Sequence, residues 1–501
     1  MAALFTVLVC AVTSPQAVDR GGGAGSGTAH PSKTPARGER GSTRRAPPAG
    51  RDATSALLVK LRVPPTRAIL NVLSSRYGAR VTYAWPEINA VALRVSRAKQ
   101  AALAGDPQVL AVEPDARGDA FGGGPASAAN ATAPPMTVVP IGTADRPIES
   151  WNLDMADVTG TGYQGTGVTV AVVDSGLPQN WPDFLPPDRV DTTHAAGFGS
   201  EGSGDFHNPV NAITGVGGHI GLFPHGLAVS SVIVGFPSDL GPVQGAAPRA
   251  TILPIRVLNQ FNFGYFSWFT AGILHVANLK RDGALTGPVV INFSIQARSD
   301  SQVLRAAIDY AISQGVLFVT IAGNFGPDPG TVSFPGRLPE SITAGAAGWI
   351  QEGSSPDWFL GDVPENDPSQ VYVASFSGRE GGPAGSGVID VLAPGSFVFG
   401  EWLFGPGFSE GREVAFDAVD NFIFGTSFAA PHVTGIVAQL LEQNPFLTQD
   451  QAERTLKNTA LPIPPAPAGV QTPVEPIAPW FSDATGSGLA RGDAALAAGR
   501  I

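Results

Sequence analysis

The chain has 501 residues, enough for a large domain with an accessory module, and 43% of them are hydrophobic against 15% charged. That balance excludes a highly charged disordered chain and a coiled coil, and 62 Gly with 45 Pro stay below the share that marks low-complexity sequence. The net charge of −11 is unevenly spread, residues 20–119 carrying +9 and residues 120–501 carrying −19. An acidic body repels phosphate backbones and anionic lipid, so nucleic acid and membrane surfaces are excluded as partners, and the basic segment is expected to complement the acidic one.

Along the chain, residues 1–17 hold the apolar run AALFTVLVCAVT, too short for a bilayer span, and predict a signal peptide although no Lys or Arg precedes the run. The only cysteine, Cys10, falls there, which excludes an internal disulfide and a cysteine-based zinc site. Residues 18–54 are rich in Gly, Ser, Pro and Arg without apolar periodicity and read as a disordered linker. Between 55 and 115, ALLVKLRV, ARVTYAW, INAVALRV and QVLAVEPD read as strands, and PTRAILNVLSSRYG and SRAKQAALAG as helices. Two βαβ units in so short a span predict a small ferredoxin-like α+β module. Residues 116–147 return to Gly, Ala and Pro and read as a flexible link.

Residues 148–501 alternate buried-strand runs (VTVAVVDSG, ATILPIRVL, PVVINFSI, GVLFVTIAG) with helical patterns. The expected fold class is therefore α/β, a mostly parallel sheet with helices on both faces, and reactive groups belong at the carboxyl ends of its strands. Asp174 stands at the exit of VAVVDSG, His225 opens the helical PHGLAVSSVIVG, Asn324 ends FVTIAGN, and Ser427 opens the helical GTSFAAPHVTG. A serine at a helix start gains from unsatisfied backbone N–H groups that can also hold an oxyanion. Each residue alone is compatible with an ordinary turn, cap or core role.

Taken together and in the order Asp, His, Asn, Ser, these strings resemble the catalytic blocks of the subtilisin-like serine peptidases, the subtilases. The likeness runs over roughly residues 148–499 and includes SFPGRLPESITAGAAG, DVLAPG and GSGLARGDAALA, while residues 56–115 resemble the family's inhibitory propeptide. The order differs from that of α/β-hydrolases, whose nucleophile lies in G-x-S-x-G; here position 429 is Ala. The resemblance implies a secreted, extracellular endopeptidase acting on proteins or peptides. It would be made as a self-processing precursor inhibited by its own propeptide, as a monomer, with no cofactor required for chemistry. In that family role Ser427 is the nucleophile, His225 its base and Asp174 the orienting carboxylate, with Asn324 and the Ser427 N–H as the oxyanion hole.

By the same resemblance, Gly264 and the strand Ser294, Ile295, Gln296 would form the rims that hold an extended substrate, with Ile321 beside the first specificity pocket. The family usually has Ser-x-Gly where this chain has Gln296, and a small residue where it has Ile321, so narrower specificity is expected. Leu227 also stands where the family's block normally has Ser, Thr or Met. A subtilase-fold binding protein without turnover is the alternative these departures leave. Metal ligands are unassigned: GFPSDLGPVQG lacks the Asn-rich pattern of a tight calcium loop, whereas the acidic VPENDPS and FDAVDN leave room for a structural calcium. The stretch between Asp174 and His225 reads as a long surface loop in which His194, His207 and His219 are too scattered for zinc. Asn130 begins a glycosylation sequon inside the link expected to be discarded.

Overall fold

The computed structural model describes residues 54–120, 142–199, 202–204, 224–259, 261–382, 387–404 and 417–499. The predicted signal peptide with Cys10, nearly all of the first linker, the Asn130 sequon, His207 and His219 lie outside these residues.

The N-terminal module follows the expected order: β1 (Thr54–Leu61), α1 (Arg67–Tyr77), β2 (Arg80–Trp85), β3 (Ala90–Ser96), α2 (Gln100–Ala104) and β4 (Val109–Pro114). Its strands pair antiparallel in the order β2-β3-β1-β4, the split βαβ arrangement. α1 begins where the Thr66 side chain accepts from the Ile69 N–H and ends where Gly78 turns left-handed at φ 65°. Its buried Ile69, Leu73 and Tyr77 recur every four residues and close the module's own core with Leu57, Val59 and Leu61 of β1. Leu58, Ala90 and Ala92 point the other way, into the core of the large domain.

Residues Arg117–Asp119 then form β5, so the start of the predicted flexible link is a strand. Its partner lies in the large domain, in which α3 (Trp151–Met155), β6 (Thr169–Asp174), β7 (Ala196–Gly199) and β8 (Gly202–Gly204) come first. Next follow α4 (His225–Val234), the hairpin β9 (Phe236–Ser238) and β10 (Gly241–Val243), β11 (Thr251–Arg256), β12 (Phe263–Tyr265) and α5 (Phe266–Arg281). The second half runs β13 (Val289–Phe293), α6 (Gln302–Ser313), β14 (Val316–Ile321), β15 (Ile342–Trp349), β16 (Val371–Val373) and β17 (Val391–Pro394). It closes with β18 (Val398–Phe404), β19 (Asp417–Ile423), α7 (Thr426–Gln443), α8 (Gln449–Thr459), β20 (Val470–Gln471), β21 (Pro476–Ile477) and α9 (Gly492–Ala498).

The central sheet has nine strands in the order β16-β15-β14-β13-β6-β11-β7-β8, with β17 also paired to β15. It is parallel except at β16 and β8. Along β6, Val170 and Val172 join the core under α4 and α7, whereas Ala171 and Val173 join the core under α5 and α6. Both faces of the sheet are thus covered, which is why its strands read as continuous apolar runs. The expected surface loop after Asp174 is partly sheet, since β7 pairs with β11 and extends it.

Acidic residues of the module also tie it to the large domain, contacts that the side-chain charge count did not anticipate. Glu113 accepts from the Gln302 and Val303 N–H groups and the Ser301 hydroxyl at the start of α6. Asp115 likewise accepts from the Ser267 N–H at 2.9 Å and hydroxyl at 2.7 Å at the start of α5. Helix N-termini carry unsatisfied N–H groups and partial positive charge that a count of side-chain charges does not register. Glu87 adds a bond from Asn278, and the Tyr83 hydroxyl bridges the Gly199 carbonyl and N–H.

Candidate active site

Asp174 ends β6 and is fully buried, its carboxylate accepting from the Ser175 N–H at 2.6 Å. His225 opens α4 with Nδ1 2.9 Å from both Asp174 oxygens. The approach depends on the residue after it: a Cβ on Gly226 would stand 2.8 Å from the Gly176 carbonyl oxygen and 3.3 Å from the Asp174 Cβ. The Ser175 hydroxyl accepts from the Gly226 N–H and ties the two segments again. Leu227, the unusual residue of this block, is buried in the core.

Ser427 lies in the first turn of α7, after Gly425 at φ 140°, a backbone conformation that favours glycine. Pro431 sits inside that helix without an N–H, which frees the Ser427 carbonyl four residues back. The Ser294 hydroxyl donates to this carbonyl at 2.9 Å, and the Ser427 hydroxyl donates to the Ser294 carbonyl at 3.3 Å. Behind Ser294, Asn292 donates to its hydroxyl and accepts from Thr434 of α7, so strand and helix are locked together. The His225 ring packs on Phe428, next to Ser427, at 5.5 Å between ring centroids.

Asn324 follows β14. Its Oδ1 accepts from both the N–H and the hydroxyl of Thr426 at 2.8 Å, which commits the oxygen and leaves Nδ2 as the donor end. A second imidazole, His432, is close in sequence to Ser427 but stands apart from this pair. Its Nδ1 bonds the Phe428 carbonyl and its Nε2 meets Asn152, and burial pushes its pKa down to about 4, so it is uncharged at neutral pH.

The two expected rims are occupied by the chain itself. Gly118 pairs with Gly264, and Asp119 exchanges two backbone hydrogen bonds of 2.9 Å with Gln296. Ala120 donates to the Asn262 carbonyl, and Phe266 donates to the Ala116 carbonyl. Gly264 admits no side chain, since a Cβ there would meet the Val257 carbonyl oxygen at 2.2 Å. Ile295 joins the apolar cluster that also holds Ala120 and Phe269. Ile321, expected beside a pocket, is fully buried in the core with Val319 and Leu317. Among the described residues, no three His, Cys, Asp or Glu side chains gather as metal ligands. In VPENDPS the Asp367 carboxylate is taken up by Ser369 and Gln370, and His194 binds Asp191. The FDAVDN side chains lie outside the described residues.

The model of the Subtilase family matches residues 165–491. Among curated proteins, the chain is 28% identical over 301 residues to Subtilisin E of Bacillus subtilis (strain 168), covering 60% of this chain and 62% of that protein. It is 30% identical over 303 residues to the Serine protease AprX of the same strain, covering 59% and 61%. The matched region thus spans about three fifths of these relatives' length. Among solved structures, fervidolysin from Fervidobacterium pennivorans, titled a keratinolytic enzyme related to subtilisin, shares the fold with a TM-score of 0.59 at 23% identity, over 89% of this chain and 61% of that one. The S41 psychrophilic protease aligns with a TM-score of 0.50 at 25% identity, over 69% and 98%. Among the described residues, no helix is long and apolar enough to cross a membrane.

Proposed function

Because the chain belongs to the subtilase family, we propose that it is a secreted serine endopeptidase made as a self-processing precursor. Ser427 attacks the scissile carbonyl while His225 takes its proton and passes it to the leaving amine. Asp174 holds the imidazole tautomer and stabilises its cation. The Asn324 amide and the Ser427 N–H hold the tetrahedral oxyanion.

The observation that carries the reading is the strand Arg117–Asp119, which lies between Gly264 and Gln296 as an extended substrate would, two residues along from the Ser294 that touches Ser427. In this reading the module preceding β5 is the propeptide and its tail blocks the cleft. A substrate that kept the Asp119–Gln296 register for two more residues would present the bond after its next-but-one residue to Ser427. The expected self-cleavage is therefore the Phe121–Gly122 bond, which lies outside the described residues. N-terminal sequencing of the matured protein tests this: a start at Gly122 supports the reading, and one close to residue 147 overturns the register argument.

Two further outcomes follow from the contacts. Asn324→Ala should lower turnover by about 10²–10³ with little change in KM, the range for loss of one oxyanion donor, for which subtilisin is itself the reference case. Equal turnover would remove Asn324 from the oxyanion hole. Asp115→Ala strips the partner from the start of α5, a loss of about 1–2 kcal/mol for a helix cap. The cleaved module should then leave roughly tenfold faster in a dissociation assay, and an unchanged rate would show that the cap does not hold it.

A further inference from the structure

Gln296, three residues beyond β13, does more than pair its backbone with Asp119. Its Oε1 accepts from the Asn324 N–H at 2.7 Å, and because that partner can only donate, the orientation of the amide is settled. Its Nε2 must then face the other way, and it donates to Oδ1 of Asp119 at 3.2 Å. The residue is almost fully buried, so a positively charged side chain opposite Nε2 would meet a donor with no room to turn. One position earlier the cleft has no room for any side chain. A Cβ on Gly118 would stand 2.8 Å from the Phe269 ring and 2.9 Å from the Gln296 carbonyl oxygen, and the latter is backbone.

We propose that this cleft selects polypeptide segments with glycine at the place of Gly118 followed by a residue offering a side-chain oxygen, Asp above all, at the place of Asp119. The substrates are then extended Gly-Asp segments. Phe269 imposes the glycine, and Gln296 acts as a specificity residue whose donor is aimed by the same Asn324 that serves the oxyanion. The assignment rests on the peptidase reading for its substrates, but the recognition itself is a property of binding.

The test has two arms. In the first, matured wild-type protein cleaves a parent peptide copying residues 114–124 and three relatives, with Ala in place of Gly118, Ala in place of Asp119 and Asn in place of Asp119. Both Ala peptides should lose at least tenfold in kcat/KM, and the Asn peptide, which keeps an oxygen acceptor, less than threefold. In Gln296→Ala the parent peptide and the one with Ala in place of Asp119 should be cut at equal rates while the demand for glycine persists. In the second arm, the full-length Ser427→Ala chain, which needs no turnover, is compared with the same chain carrying Asp119→Ala, Asp119→Asn or Gly118→Ala. Amide exchange over residues 117–120 should speed up at least tenfold in the two Ala variants and stay near the parent in the Asn variant. If all peptides are cut within twofold of each other, the selectivity is overturned and the peptidase reading stands; if exchange is unmoved, the recognition is overturned whatever the peptides show. If no peptide is cut but exchange responds as expected, the recognition stands and the peptidase reading falls.

Discussion

Ser427→Ala should abolish both peptide hydrolysis and self-cleavage, with a fall in turnover of about 10⁶, a magnitude for which subtilisin is itself the source. The variant removes only the hydroxyl. The carbonyl of residue 427 would still accept from Ser294, and Asn324 would still be held by the backbone of Thr426, so the fold and the oxyanion donors should survive. Intact mass separates the outcomes. Wild type should shorten by the residues up to the cut after residue 121, while the variant stays at full length and fails to react with a serine-directed phosphonate probe. If the variant also shortens during purification, cleavage comes from another protease. Should wild type itself remain full length and unlabelled although folded, the chain is a binding protein on a subtilase scaffold.

Asp174→Asn is expected to lower turnover by about 10⁴ at neutral pH while leaving KM and thermal stability close to wild type. The new amide oxygen can still accept from the Ser175 N–H, the bond that Asp174 makes at 2.6 Å. Its NH₂ would then face Nδ1 of His225. A donor at that position forces the imidazole proton onto Nε2, where it opposes removal of the Ser427 proton, and the imidazolium formed in the reaction loses its counter-charge. The check is kcat and KM from full progress curves together with a melting curve. Turnover within tenfold of wild type would mean that His225 is not the base, and a collapsed melting temperature would mean that Asp174 acts mainly as a buried structural acceptor.

Much of the fold could be read from local strings because their causes are local. The apolar runs at β6, β11, β13 and β14 are continuous because both faces of the sheet are covered, and Thr66 with Gly78 bounds α1 through its own side chain and its own left-handed turn. Asp174, His225, Asn324 and Ser427 stood out as candidates for a related reason. Each stands at a strand exit or helix start, and their order along the chain is a property of sequence alone. Distances between them were not legible, and neither was the part played by Pro431 in freeing the Ser427 carbonyl for Ser294.

The tertiary structure decided what depends on backbone meeting backbone. Residues 116–120 looked like loose link because Gly and Ala carry no periodic signal, yet Arg117–Asp119 form a strand, since pairing uses N–H and C=O groups that every residue except proline has in full. The charge count pointed to a basic module on an acidic body, whereas Glu113 and Asp115 make the tie, because the positive ends of α5 and α6 arise from peptide dipoles. Ile321 shows the same limit from the other side. Its place beside Asn324 suggested a pocket wall, but the alternation of β14 turns its side chain into the core. The sequence by itself thus indicated the main apolar strands and helices, their order and the candidate reactive side chains, which follow from residue type and spacing. Which side chains face the cleft, what fills it and how Gln296 is aimed were settled only when distant backbones came within hydrogen-bonding reach.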